Sequence, residues 1–156
     1  MYKRIMVAVD GSDASNKALV AATDLARDCG GRSVLLLVHA LDDMAYISGL
    51  DPYGGQSGAL IEIMRETGEK ILAEALAIAE SAGVQAETLL IDRLDERLGD
   101  TVAREAQQWK ADLIVVGTHG RRNISRMLLG SGAEQIIRLS PVPVLVVRKA
   151  EDAAAK

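Results

Sequence analysis

Residues 4–40 read RIMVAVDGSDASNKALVAATDLARDCGGRSVLLLVHA, and this stretch decides the fold. A short apolar run at 5–9 is broken by the segment DGSD at 10–13. Alanine and leucine then recur at helical spacing as far as two glycines at 30–31, and a second apolar run spans 33–40. Strand, helix and strand in this order predict a β-α-β unit with parallel strands, and Ser12 or Asp13 is the expected N-cap of the helix.

The same alternation continues along the rest of the chain. Helices are predicted over 61–79, 98–109 and 133–139, strands over 86–91, 113–116 and 142–147, and an irregular loop, which is either functional or mobile, over 42–57. The order βαβαβαβαβ predicts an α/β protein with one doubly wound, five-stranded parallel sheet and helices on both faces. Residues 1–150 are expected to form a single domain, followed by a flexible C-terminal tail at 151–156. Ligands of such sheets bind at the carboxyl ends of the strands, where the strand order reverses.

Composition excludes several functional classes. The chain has 156 residues and a formal net charge of −4, and only 3% of its residues are aromatic, none of them Phe. The mild acidity and the lack of aromatic stacking groups argue against nucleic-acid binding, and the core is expected to be aliphatic. A single cysteine, Cys29, allows neither an intramolecular disulfide nor a multi-thiolate metal site. No apolar run approaches a signal sequence or the ~20 residues of a membrane span, so we expect a cytoplasmic protein without membrane insertion.

A basic, glycine-rich segment predicts an anion site. Residues 117–132 read GTHGRRNISRMLLGSG, with three arginines and no acidic residue, in a chain of net charge −4. A strand end, a basic glycine loop and a helix that begins at Gly130-Ser131 can direct backbone N–H groups and a helix dipole at phosphate. The Gly-Lys-Ser/Thr ending of a Walker A loop is missing, and the dinucleotide fingerprint would instead follow the first strand.

The spacing of these glycines, G-x2-G-x9-G-S, resembles the nucleotide-binding motif of the universal stress protein family. IMVAVDGS at 5–12, ADLIVVGTHG at 111–120 and SPVPVLVV at 140–147 are similar to other segments of that family, so the resemblance covers nearly the whole chain. It implies a Rossmann-like, adenine nucleotide alpha-hydrolase-like fold that binds ATP or another adenine nucleotide, with Mg²⁺ or Mn²⁺. It also implies a homodimer paired through the last strand, Val142 to Val147, which is an edge of the predicted sheet.

The resemblance assigns roles by position. Asp10 is expected near the ribose and phosphates, where it helps to hold the metal ion. Ala8 and Ala40, at the ends of the first two strands, are expected to offer backbone contacts to adenine or ribose. The predicted phosphate cradle consists of Gly117, Gly120, Gly130 and Ser131. Neighbours expected to contribute are Thr118, His119, Arg121, Arg122, Asn123 and Gly132.

Simpler interpretations stay open at this point. Gly117 or Gly120 alone could be a turn glycine, and Asp10 could only cap a helix. His39 is expected to be a packed, hydrogen-bonded histidine rather than a catalytic group. Three functions remain: a nucleotide-binding regulatory module in the stress response, which acts on an unknown protein partner; a slow or partner-activated ATPase; and a structural dimer without nucleotide. No general base stands out beside the loop, so the first is favoured.

Overall fold

Strands and helices alternate along the chain in the predicted order. The computed structural model describes residues 1–41, 57–93, 96–118 and 129–148. The strands within these ranges are β1 (Arg4–Ala8), β2 (Val34–Ala40), β3 (Gln85–Ile91), β4 (Leu113–Gly117) and β5 (Val144–Val147). The helices there are α1 (Asp13–Asp28), α2 (Ser57–Ser81), α3 (Leu98–Trp109) and α4 (Ser131–Leu139).

The five strands form one parallel sheet in the order β3-β2-β1-β4-β5, which confirms the predicted fold class. β1 is central and pairs with β2 on one side and with β4 on the other. The chain runs outward from β1 through β2 to β3 and then returns to the other side of β1 with β4. The strand order therefore reverses between β1 and β4, and their carboxyl ends define the expected ligand position.

Helices cover both faces because successive side chains of a strand point to opposite sides. Ile5 and Val7 of β1 are fully buried beneath α1 and α2, whereas Met6, also fully buried, faces α3 and α4. The same alternation holds along β2, where Leu35 and Leu37 share the first face and Leu36 the second. The core is aliphatic, as the composition predicts, and the three middle residues of the central strand are fully buried.

The last strand begins later than the sequence pattern indicates. We expected it from Val142, but β5 begins at Val144. Pro143 has no N–H to donate to a ladder, and its carbonyl instead accepts a hydrogen bond of 3.0 Å from the N–H of Ile114. The hydroxyl of Ser140 donates to the carbonyl of Val142 at 2.6 Å and bends the chain just before the strand. β5 lies at the edge of the sheet, as predicted.

Two glycines bring α3 and α4 into close contact. A Cβ atom on Gly99 would lie 2.8 Å from the carbonyl oxygen of Gln135, and one on Gly132 would lie 2.9 Å from the Cδ2 atom of Leu98. The N–H of Gly99 also donates to the side-chain oxygen of Gln135 at 3.2 Å. These contacts fix the start of α4 against α3. None of the helices in the described ranges is both long and apolar enough to cross a membrane.

Candidate functional site

The carboxyl end of β1 turns directly into α1 through a small hydrogen-bonded network. Asp10 is half-buried, and its Oδ1 atom accepts a hydrogen bond of 2.9 Å from the N–H of Ser12. Gly11 between them has a φ of 78°, a left-handed conformation that favours glycine. Ser12 caps α1, because its hydroxyl accepts from the N–H of Ser15 at 3.2 Å. Asp10 therefore does more than border a helix, since its carboxylate shapes the turn at the predicted ligand position.

Ser15 completes this network, and the sequence analysis did not single it out. Its hydroxyl is buried with the rest of the residue, which is only 4% exposed, and it accepts a hydrogen bond of 3.0 Å from the N–H of Asp10. Two serines three residues apart after a strand end were the available signal. Such a pair can serve both the cap of the helix and the backbone that precedes it.

The carboxyl end of β4 is tied to the start of α4 in a different way. The N–H of Thr118 donates to the carbonyl of Val147 at 3.0 Å, and the carbonyl of Thr118 accepts from the N–H of Gly130 at 2.7 Å. Gly130 is the N-cap residue of α4 and provides no side-chain cap. Thr118 and Gly130 are thereby adjacent in space although eleven residues separate them in the chain.

The two helices at the switch point thus present different N-termini. The first turn of each helix holds one acidic residue, Asp13 in α1 and Glu134 in α4, but only α1 has a hydroxyl cap, from Ser12. The N-cap of α4 is a glycine, so no N-cap side chain occupies the region in front of its first backbone N–H groups. The N-terminus of a helix carries partial positive charge and favours anions. The geometry therefore favours α4 over α1 as a phosphate position.

Gly117 and Gly132 have a packing role that the sequence alone did not reveal. A Cβ atom on Gly117 would lie 2.6 Å from the carbonyl carbon of Ala14 and 2.9 Å from the N–H nitrogen of Ser15. The missing side chain of Gly117 therefore admits the backbone of α1. Gly132 similarly admits α3, as described above. The structure supports this packing role for both glycines. Their contact with phosphate stays a prediction.

The remaining described site residues lie at the same edge of the sheet. Ala8 and Ala40 are the last residues of β1 and β2, and both are half-buried against the α3 and α4 face. Ser131 is the first residue of α4 and is exposed. Five predicted site residues lie outside the described residues, namely His119, Gly120, Arg121, Arg122 and Asn123. Most of the 42–57 loop and the 151–156 tail also lie outside them.

Metal binding by protein side chains alone finds no support in the described ranges. No group of three or more His, Cys, Asp or Glu side chains comes together there. Asp10 would therefore have to share a cation with other donors, such as the phosphate oxygens that the sequence analysis invoked. This fits Mg²⁺, which is usually held by one or two carboxylates plus substrate phosphates.

Two ion pairs join partly exposed side chains on the two faces of the sheet. Arg65 of α2 hydrogen-bonds to Asp92, which follows β3, and this bond together with the nearby charge raises the pKa of the Arg65 guanidinium. On the other face, a hydrogen bond from Arg104 lowers the pKa of Glu96 below its usual value. Neither pair was predicted, because 27 and 8 residues separate the partners and no local pattern connects them.

A doubly wound parallel sheet with two helix N-termini and an acidic turn at its switch point defines a class of α/β ligand-binding proteins. The comparisons with known proteins give the particular family. The family model described as "Universal stress protein family" matches residues 1–148, and the chain belongs to that family.

Individual relatives agree over almost the full length. A universal stress protein of Thermus aquaticus is 35% identical over 148 residues, 95% of this chain and 100% of the relative. Universal stress protein MJ0531 of Methanocaldococcus jannaschii is 33% identical over 149 residues, 96% of this chain and 84% of the relative. Among solved structures, a family member from Burkholderia pseudomallei is 32% identical with a TM-score of 0.75 over 94% of this chain and 96% of that one.

Two similar structures that are more than 25% identical to this chain contain an adenine nucleotide. One is a universal stress protein in complex with cAMP, 28% identical with a TM-score of 0.65, covering 94% of this chain and 98% of that one. The other is the universal stress protein from Archaeoglobus fulgidus in complex with dAMP, 26% identical with a TM-score of 0.64, covering the same shares of the two chains.

Proposed function

We propose that the protein binds an adenine nucleotide at the carboxyl edge of the sheet between β1 and β4, with the phosphates at the N-terminus of α4. The observation that carries this proposal is the glycine N-cap of α4, Gly130, which is held to the end of β4 by its hydrogen bond to Thr118. An incoming anion can approach the first backbone N–H groups of α4 without displacing an N-cap side chain. The cAMP and dAMP complexes of similar proteins support the choice of an adenine nucleotide.

The triphosphate ATP is the nucleotide that we infer. The glycine spacing of residues 117–132 and their three arginines provide donors for more than one phosphate group. The carboxylate of Asp10 lies at the end of β1, next to β4, where it can share a Mg²⁺ or Mn²⁺ ion with those phosphates. Gly117, Gly120, Gly130 and Ser131 would surround the phosphates, and backbone groups of Ala8 and Ala40 would contact adenine or ribose.

The role that we propose is regulatory: a cytoplasmic homodimer that presents a nucleotide-dependent surface to a protein partner during stress. β5 is an outer strand of the sheet, and unpaired strand edges favour association with a second strand. Leu145 on this strand is 39% exposed, and Ile137 and Leu139 of α4 are each 41% exposed. These apolar side chains support pairing of two copies at this edge.

Mass spectrometry of small molecules released from the purified protein tests the nucleotide directly. We expect ATP or another adenine nucleotide in the released fraction. Calorimetric titration with ATP, AMP and cAMP, with and without Mg²⁺, then ranks the ligands. A protein that releases no nucleotide and shows neither heat nor a thermal shift with any of the three would disprove the proposal.

Two variants at the N-cap of α4 test the phosphate position. Gly130→Asp and Gly130→Asn both introduce a favoured capping side chain at a backbone conformation (φ −62°, ψ 147°) that any residue can adopt, but only aspartate adds a negative charge. We expect ATP affinity to be at least about tenfold weaker for the aspartate variant than for the asparagine variant, or ~1.4 kcal/mol. Equal affinities in the two variants would place the phosphates elsewhere.

The dimer and the absence of rapid turnover need separate measurements. Leu145→Asp is expected to give a monomer in sedimentation equilibrium. Val20→Asp, which changes a 50% exposed side chain on α1, is expected to leave the oligomeric state unchanged.

With saturating ATP and Mg²⁺, we expect phosphate release to be slow. Sustained release at ordinary enzyme rates would instead favour an ATPase, provided that Asp10→Ala abolishes the release without unfolding the protein.

A further inference from the structure

His39 links the end of β2 to the end of β1 through its side chain. The ladder between β1 and β2 ends at the pair Ala8 and Val38, whereas β2 continues to pair with β3 as far as Ala40. Just beyond the end of the ladder, the imidazole Nδ1 of His39 lies 2.8 Å from the carbonyl oxygen of Val9. The N–H of Val9 still donates to the carbonyl of Val38 at 2.9 Å, and the His39 side chain then binds the carbonyl of Val9.

This contact places a proton on Nδ1 of the ring. A carbonyl oxygen only accepts hydrogen bonds, so Nδ1 of His39 must carry a proton and donate a hydrogen bond to the carbonyl oxygen of Val9. A histidine in its neutral form then carries no proton on Nε2.

The peptide unit between Val9 and Asp10 is held at both of its polar atoms. His39 of β2 donates to the carbonyl oxygen of Val9, and the hydroxyl of Ser15 in α1 accepts from the N–H of Asp10 at 3.0 Å. Two side chains from different elements thus fix the orientation of one peptide plane. Asp10 begins at that plane, so the direction in which its carboxylate leaves the backbone depends on both hydrogen bonds.

Gly68 in the middle of α2 makes room for this imidazole. A Cβ atom at position 68 would lie 2.7 Å from Cδ2 of His39 and 2.7 Å from Cδ1 of Leu90. Glycine inside a helix costs roughly 1 kcal/mol relative to alanine. The close approach of the imidazole gives a physical reason for a glycine at this position. The ring of His39 therefore lies between α2 and the backbone of Val9.

We propose that His39 is a positioning residue of the nucleotide site: it acts through the Val9–Asp10 peptide and holds Asp10 in the orientation that binds the nucleotide and its cation. His39 contacts the backbone and is not assigned a contact with the nucleotide. This inference rests on the proposed function and deepens it, because it adds a residue on the opposite face of the sheet from Ala8 and Ala40.

Two substitutions separate positioning from bulk packing, because one keeps a donor in a smaller side chain and the other keeps the volume without a donor. In His39→Asn the side-chain nitrogen is bonded to Cγ, as Nδ1 is, so it can still donate to the carbonyl of Val9. His39→Leu fills a similar volume without a donor. We expect ATP·Mg²⁺ affinity close to that of the unmodified protein for the asparagine variant, and about five- to tenfold weaker binding for the leucine variant, both measured well below their melting temperatures. Equal affinity in the two variants would overturn the inference.

A double-mutant cycle with Gly68→Ala tests the same contact from α2. In the presence of His39 the new Cβ must displace the imidazole, so we expect weaker ATP binding. In the His39→Asn background the Cδ2 and Nε2 atoms are gone, and we expect Gly68→Ala to leave the affinity nearly unchanged. The contact of the new Cβ with Leu90 is common to both backgrounds and cancels. Additive effects of the two substitutions on affinity would contradict a shared role.

The protonation state provides a readout that does not require nucleotide. Nitrogen-15 NMR of the ligand-free protein should show a proton on Nδ1 of His39, and a neutral ring protonated on Nε2 would overturn the proposed contact. If the unmodified protein binds no nucleotide, the proposed function fails and the positioning role fails with it. A proton on Nδ1 in that case would show that His39 holds Val9 for the fold alone, which distinguishes the two failures.

Discussion

Gly117→Ala is the substitution for which the structure predicts the clearest loss of stability. Gly117 is the last residue of β4 and is buried. Its new methyl group would lie 2.6 Å from the carbonyl carbon and 2.7 Å from the carbonyl oxygen of Ala14, and 2.9 Å from the nitrogen of Ser15. All three atoms belong to the backbone of α1, which cannot rotate away as the end of a side chain can. The first turn of α1 must therefore shift away from the sheet.

The size of the effect follows from two opposing terms. Inserting a methylene-sized group into a well-packed core costs about 1–3 kcal/mol, and the upper end applies here because the neighbours are backbone atoms. Replacing a strand glycine by alanine recovers roughly 0.5–1 kcal/mol of chain entropy. We expect Gly117→Ala to lower the free energy of unfolding by about 2 kcal/mol, which for a chain of this length lowers the melting temperature by roughly 4–8 °C.

Urea unfolding followed by circular dichroism, at one fixed protein concentration, measures this difference. Gly58→Ala is the matched control, because a Cβ atom at position 58 would meet nothing within 4 Å and the residue lies in the first turn of α2. We expect the control to be neutral or slightly stabilising, with the same denaturant slope in both variants. A Gly117→Ala protein within about 0.5 kcal/mol of the unmodified chain would refute the packing argument.

Two further predictions concern charged side chains. Because a hydrogen bond from Arg104 lowers the pKa of Glu96, this carboxylate adds stability above its unfolded pKa, near 4.5, and that contribution is lost as the pH falls through the folded value. Glu96→Gln should therefore make the free energy of unfolding fall less steeply as the pH is lowered. Glu66→Gln, at an exposed glutamate, is the control and should leave this dependence unchanged. The same dependence in the unmodified chain and in both variants would contradict the prediction. Asp112 accepts from the backbone N–H groups of residues 3 and 4 at 2.8 and 3.1 Å, so Asp112→Ala should cost about 1 kcal/mol in thermal unfolding, and an unchanged melting temperature would count against it.

Local patterns in the sequence sufficed for most of the fold. Apolar runs located β1 and β2 to within a residue, because strands buried on both faces consist of nearly uninterrupted apolar residues. Ser12 was one of two expected caps, and its hydroxyl does accept the capping hydrogen bond. α2 begins at Ser57, four residues before the predicted Ile61, because the first residues of the helix, Ser-Gly-Ala-Leu, add no clear apolar periodicity. The edge position of the last strand, which was expected together with the dimer that the family resemblance implies, is confirmed.

The parts of the site that sequence could not predict depend on contacts between distant residues. Gly117 was interpreted as a phosphate or turn glycine, but its nearest constraint is the backbone of α1, about a hundred residues earlier. Gly68 had no evident reason until the ring of His39 was placed beside it. The structure agrees with the expectation that His39 is hydrogen-bonded, but the identity of its partner, Val9, required the register of β1 against β2.

The central position of β1 has a consequence for how the protein is made. Ile5 pairs with Leu113, 108 residues further along the chain. At a synthesis rate of about 5–20 residues per second, the second neighbour of β1 leaves the ribosome roughly 5–20 s after β1 itself. Throughout that interval one edge of the future central strand has no native partner, and only the β1-α1-β2 unit can shield it. The turn at Asp10–Ser15 and the link from His39 to Val9 belong to this early unit, so about the first quarter of the chain can acquire its local order before the other half of the nucleotide site exists.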